Sequence, residues 1–186
     1  MPVLPQYAPI AAWLAGYAPR DAQEVEDIAC LRRYMETFDD LLVRDNTALH
    51  FTASSLIVDK TGTQTLLCWH NIYKSWSWTG GHADGEADLL AVAVREAREE
   101  TGAVCTGGRL LGVDILPVAA HRKKGRPVAA HLHLNFCFLL QADSTAPLAA
   151  NPEENSGVAW FALHRLPEVC TEPDMVPVYR RLLSAL

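Results

Sequence analysis

The chain has 186 residues, of which 49% are hydrophobic, and a formal net charge of −6; that is enough apolar content for one well-packed core and hardly enough for two full domains. The acidic balance argues against a nucleic-acid polymer as partner, although a small anion can still enter together with a counter-cation. No apolar run of roughly 18 residues occurs, and the opening MPVLPQYAPIAAWLAG lacks the basic leader of a secretory signal, so the expectation is a cytoplasmic protein without a membrane segment.

A short helical piece around Ile10 to Ala15 precedes a longer one, which Asp21 opens as a D-x-x-E capping box with Glu24. Val25, Ile28, Leu31, Met35 and Phe38 then recur at three- and four-residue spacing. This stripe reads as core packing or, less often, as a homodimer surface. The two pieces make residues 1–45 an N-terminal helical extension ahead of a domain over 46–186. From His50 the pattern changes to the β-rich runs FTASSLIV and TQTLLCW, joined by the turn residues DKTG. In HNIYKSWSWTGG the residues Lys74, Trp76 and Trp78 alternate, so on an extended strand they share one face. They read either as core or as a pocket wall that stacks a base and holds a phosphate.

From Asp88 to Thr101 no Gly or Pro interrupts a run of helix formers, and Gly102 follows, which predicts a helix capped by Asp88 and closed by Gly102. Glu96, Glu99 and Glu100 stand at i, i+3 and i+4 and crowd one face. Like charges at that spacing repel by roughly a few tenths of a kcal/mol per pair unless a cation neutralises them, and hard oxygen ligands suit Mg²⁺ or Mn²⁺. Taken alone, REAREE reads as a solvated face with ion pairs such as Arg95 to Glu99. The preceding Gly80, Gly81 and Gly85 change that reading, because glycine lets backbone approach a ligand closely; Gly81 enters the metal site on this ground.

The segment from Gly81 to Ala103 resembles the Nudix box: G, five residues, E, seven residues, then REUxEExGU with U aliphatic. Gly81 takes the first glycine, Arg95 and Glu96 the RE pair, Ala97 the first U, Glu99 and Glu100 the EE pair, Gly102 the last glycine and Ala103 the last U. Ala87 stands where the family has its first glutamate, between Glu86 and Asp88. The resemblance implies the Nudix fold, an α/β architecture with a mixed sheet sandwiched between helices. It further implies a pyrophosphohydrolase that uses Mg²⁺, with Mn²⁺ able to substitute. Water would attack phosphorus in the diphosphate linkage of a nucleoside diphosphate derivative or related small molecule. Glu96, Glu99 and Glu100 would bind metal, one of them serving as base instead, and Arg95 would belong to the catalytic group.

Beyond the box, GRLLGVDILPVAA and AHLHLNFCFLL read as strands flanking the basic turn HRKKGRP, with Arg122, Lys123, Lys124 and Arg126. The turn is a solvated tip, or a loop in which Arg122 clamps a distal phosphate. His131, His133 and Asn135 alternate with Leu132, Leu134 and Phe136 and read as a wet face touching sugar or phosphate, with zinc on the two histidines as the lesser reading. His70 and His82 read as hydrogen-bonded structural residues. The connection up to Asn155 carries Glu153 and Glu154; by resemblance one of them completes the metal shell or acts as base, against a default of solvated loop. GVAWF reads as a strand and Met175 to Leu186 as a closing helix. Five scattered cysteines without CxxC pairing read as reduced packing residues. Two alternatives stand beside hydrolysis: a ligand-binding or regulatory module without turnover, which would show damaged helix carboxylates, and an isopentenyl-diphosphate isomerase-like activity, for which Cys68 is the candidate thiol.

Overall fold

The computed structural model describes residues 3–123 and 125–186; Lys124 and the Lys123 side chain, expected in the basic turn, lie outside the described residues. Five α-helices are found among these residues: α1 (Ala8–Ala15), α2 (Ala22–Thr37), α3 (Leu89–Thr101), α4 (Leu166–Val169) and α5 (Met175–Leu183). The strands are β1 (Leu49–Asp59), β2 (Gln64–His70), β3 (Ser75–Ser77), β4 (Thr79–His82), β5 (Thr106–Val118), β6 (His121–Lys123), β7 (Arg126–Val128), β8 (His131–Ala142) and β9 (Asn155–Ala162). Seven of them form a mixed sheet in the order β3-β2-β1-β8-β5, with β4 paired to β1 and β9 to β2. β6 and β7 pair as a separate antiparallel ribbon. No helix among the described residues is long and apolar enough to cross a membrane.

The chain separates into two compact units. The first comprises Met1–Ala53, Gly81–Val92 and Gly112–Phe136; the second comprises Ser54–Gly80, Ala93–Leu111 and Cys137–Leu186.

In the first unit, α2 starts as its sequence dictates, with Asp21 Oδ1 accepting from Glu24 N at 2.8 Å. Ile28, Leu31 and Met35 are buried, but Val25, the first member of the expected stripe, is 47% exposed. Glu24 and Asp27 are buried in its stead. The reason lies in β5, the edge strand of the sheet order, because an edge presents backbone amides that lack a ladder partner. Glu24 Oε1 accepts from Val113 N and Asp27 Oδ2 from Ile115 N, both at 3.1 Å. Glu24 Oε2 also accepts from Arg20 N at 2.7 Å. Two carboxylates one helical turn apart thus cover alternate amides of the strand, and hydrogen-bonding demand joins the apolar stripe in setting which face of α2 is buried. Glu24→Ala should therefore lower the unfolding free energy by about 2–3 kcal/mol, since it strands a buried amide. Urea unfolding reads this directly, and a loss below about 0.5 kcal/mol would show that the edge amides do not depend on Glu24.

In the second unit, the turn after β1 is built on Asp59, whose carboxylate accepts from the amides of Thr61, Thr63 and Gln64. β2 pairs antiparallel with β9, placing Leu66 opposite Trp160 and Cys68 opposite Val158. The stretch expected as one strand through Lys74, Trp76 and Trp78 is shorter than that. Lys74 has φ +54 and its amide donates to His70 O at 2.9 Å, so it belongs to the tight turn between β2 and β3 and does not share a strand face with the tryptophans. The helix boundaries of α3 follow the sequence at both ends. At its start, whose residues belong to the first unit, Asp88 Oδ1 accepts from Ala91 N at 3.1 Å; at its end Gly102 takes φ +71 and donates to Arg98 O at 2.8 Å. A Cβ at Gly102 would sit 3.2 Å from Ala149 N, so both backbone conformation and space require glycine there.

Candidate functional site

Glu96 and Glu100 stand one helical turn apart on α3, and Glu154 immediately precedes β9. One carboxylate oxygen from each lies within 4.8 Å of the other two. Glu100 is 4% exposed. Its Oε1 accepts from Gly80 N at 2.8 Å and its Oε2 from the Cys68 thiol at 3.1 Å. Burial pushes its pKa up to about 7, with the Glu154 and Glu96 charges adding to the rise and the Gly80 and Cys68 hydrogen bonds opposing it. Burial also raises the Glu96 pKa, against the effect of Arg95, whose Nη2 lies 2.9 Å from Glu96 Oε1.

Glu154 is held to this group through its backbone. Its carbonyl accepts from Asn71 N at 3.1 Å and its amide donates to Asn151 O at 3.0 Å. The next residue, Asn155, is fully buried and donates from Nδ2 to the Glu100 carbonyl at 2.8 Å, which ties the start of β9 to the last turn of α3. Asn155 is a positioning residue that no motif announces. Cys68, singled out in the sequence only as a candidate thiol, serves here as a hydrogen-bond donor to Glu100.

The donor chemistry fits a hard divalent cation. Three carboxylates within reach of one another repel without a counter-charge, and that repulsion adds to the rise in the Glu100 pKa that burial causes first. Oxygen-only ligation suits Mg²⁺ or Mn²⁺.

The remaining expected site residues are placed as follows. Glu99 is exposed on α3 outside the group of three, and Glu153 is exposed with its amide donating to Asn151 Oδ1 at 3.3 Å. Trp76 packs against Trp69 and Phe161, with ring centroids 5.6 and 4.8 Å away, and Trp78 meets Tyr179 edge-on at 5.3 Å. These contacts are those of an aromatic cluster, while Lys74 is exposed. In the first unit, Gly81 lies within β4, and the exposed Arg122 donates to Gly125 O at 2.9 Å. The turn of the box loop is made by Asp84 and Gly85, with φ +49 and +93. Beside Ala87, Glu86 Oε1 accepts from Asp88 N at 2.8 Å, a local bond just ahead of α3. Asn135 is buried and accepts from Thr52 Oγ1 at 3.1 Å. His131 and His133 gather with His50 and His82, whose ring centroids lie 5.0–5.2 Å from His133. Neither His50 nor His82 carries a sequence signal beyond its place on a strand.

Among protein families, the NUDIX domain matches residues 48–186 of the chain. No match was found among curated proteins. A NUDIX hydrolase from Nitrosomonas europaea superposes with a TM-score of 0.54 at 20% identity, covering 73% of this chain and 88% of that one. An Ap4A hydrolase of C. elegans, solved as a binary complex, gives 0.51 at 18% identity over 72% and 95% of the two chains. A MutT protein from Bacillus halodurans gives 0.50 at 19% identity over 70% and 79%. At these identities the likeness is one of fold.

Proposed function

The chain belongs to the NUDIX domain family, and from that premise we propose that it hydrolyses the diphosphate linkage of a nucleoside diphosphate derivative or a related small molecule, with Mg²⁺ or Mn²⁺ held by Glu96, Glu100 and Glu154. The observation that carries this reading is the convergence of those three carboxylates around a buried Glu100. A divalent cation there supplies charge withdrawal from pyrophosphate oxygens and a lowered pKa for the attacking water. The residues of the chain do the rest. Glu100, fixed by Gly80 and Cys68, would face the cation as a carboxylate held in one orientation. Arg95 orients Glu96, and Asn155 keeps Glu154 beside the helix end. One carboxylate of the group takes the proton that water loses as it attacks phosphorus and the anhydride P–O bond breaks. Glu99 has a lesser part, on the solvent side of α3. Residues 46–186 form the catalytic domain in this account, and residues 1–45 an extension in which Glu24 and Asp27 complete an edge strand. Five free cysteines suit the reducing cytoplasm we assign to it.

Product release from a panel of pyrophosphate compounds tests this reading. The likeness to an Ap4A hydrolase puts Ap4A first, followed by nucleoside triphosphates, sugar nucleotides, coenzyme A and isopentenyl diphosphate. Cleavage of one class with Mg²⁺ or Mn²⁺ and none with EDTA is expected. Silence across the panel, together with stabilisation by a member of it, would identify a binding module instead.

Cys68 separates hydrolysis from isomerisation. Its thiol is fully buried and donates to Glu100, and burial, reinforced by that carboxylate, pushes its pKa up. Such a thiol acts as a hydrogen-bond donor, a role serine fills. Cys68→Ser should keep kcat for hydrolysis within about threefold, whereas an isomerase that uses the thiol chemically would lose its activity by orders of magnitude.

A further inference from the structure

The first unit holds a second group of potential metal donors, of a different chemistry. His50, at the start of β1, His82, at the end of β4, and His133, on β8, come from three neighbouring strands. One ring nitrogen from each lies within 4.8 Å of the other two. The rings pack at centroid distances of 5.0 Å for His50 and His82, 5.0 Å for His82 and His133, and 5.2 Å for His50 and His133. His131 adjoins them, its Nε2 3.1 Å from His133 Nε2.

The hydrogen bonds of His50 fix its tautomer. Its Nδ1 lies 2.9 Å from the Asn46 carbonyl, which can only accept, so Nδ1 carries the proton and Nε2 carries the lone pair. That Nε2 is buried and has no hydrogen-bond partner among the described residues, a state that costs folding free energy unless something fills it. A ring anchored through one nitrogen to a backbone carbonyl, with the other presented bare, is the arrangement by which proteins orient metal-binding histidines. Three imidazole nitrogens favour zinc and its first-row neighbours over Mg²⁺. Tetrahedral ligation at about 2.0–2.1 Å requires nitrogens about 3.3 Å apart, within reach of small ring movements from the present spacing.

We propose that His50, His82 and His133 bind a single Zn²⁺-class cation, joining β4, β1 and β8, with the fourth position open to water or to His131. This site stands on its own residues and does not rest on the hydrolytic reading.

The test uses the full chain, stripped of metal and held in excess Mg²⁺ so that the carboxylates are occupied. Co²⁺ titration should give one equivalent with the visible absorption of a low-coordinate nitrogen site, displaced by one equivalent of Zn²⁺ with a dissociation constant of about 1 µM or below. His82→Asn and His133→Asn should each weaken Zn²⁺ by about 100-fold or more, while Glu96→Gln/Glu154→Gln leaves it unchanged. Zinc-edge X-ray absorption of the wild-type protein keeps the test independent of how the variants fold, and it should show imidazole nitrogen in the first shell. Zn²⁺ binding weaker than about 100 µM, binding that the carboxylate variant abolishes, or an all-oxygen shell would overturn the proposal.

Discussion

Glu100→Gln should lower kcat by about 10³-fold or more while leaving the fold intact, and Glu99→Gln should cost about tenfold or less. The two residues are neighbours on one helix and equivalent in side-chain chemistry, so sequence alone ranks them together. Their surroundings differ. Glu100 is 4% exposed, shares the group with Glu96 and Glu154, and accepts from Gly80 and Cys68; Glu99 is exposed outside that group. Glutamine preserves the volume and the acceptor for Gly80 N but removes the negative charge that would hold a cation. Charge stabilisation by a bound metal is worth several kcal/mol in the transition state, and each 1.4 kcal/mol is tenfold in rate. Kinetics across an Mg²⁺ titration, with circular dichroism as the folding control, measures the difference. Equal losses at positions 99 and 100, or full turnover in Glu100→Gln, would show that the group of three is not the catalytic centre.

The second expected result concerns the protein without metal. Its stability should fall by about 3 kcal/mol between pH 5 and pH 8, and Glu100→Gln should abolish most of that fall. The sign follows from the direction of the shift. Glu100 titrates at about 7 in the folded chain against an ordinary 4.5, so between those values the folded state keeps a proton that the unfolded chain has released. The stabilisation is complete below about pH 4.5 and is lost as pH rises through 7, at about 1.4 kcal/mol per pH unit. The raised pKa of Glu96 adds in the same direction. Millimolar Mg²⁺ stabilises the ionised form, so at pH 8 it should raise the melting temperature of wild type more than that of Glu100→Gln. Denaturant unfolding in EDTA at several pH values decides the matter; parallel profiles for the two proteins would remove Glu100 as the source.

The parts of this account that could be read from sequence are those that local rules govern. The start and end of α3 were evident because Asp88 and Gly102 cap it and no breaker interrupts it. Membership of the family followed from the REAREE run and its spacing, which the NUDIX match over residues 48–186 supports. What escaped depends on neighbours distant in sequence. The stripe on α2 predicted Val25 inside, but bare amides on β5 draw Glu24 and Asp27 inward instead. The alternation in KSWSW predicted one strand, yet the turn between β2 and β3 takes Lys74 into a left-handed conformation. Glu154 was a loop candidate without an alignment; its approach to Glu100 depends on the buried amide of Asn155. The alternation of His131 and His133 was visible, whereas His50 and His82 join them only through the pairing of β4 with β1 and the neighbouring place of β8.

The central claim is that water attacks phosphorus at the Glu96, Glu100 and Glu154 group. Turnover of the cleaved substrate in H₂¹⁸O, read by phosphorus NMR in wild type and Glu100→Gln, tests it most directly. The account predicts one ¹⁸O on the phosphate of a single product in wild type with Mg²⁺, and no labelled product from the variant or in EDTA. Label incorporated equally by the variant, or product formed without ¹⁸O at phosphorus, would contradict it.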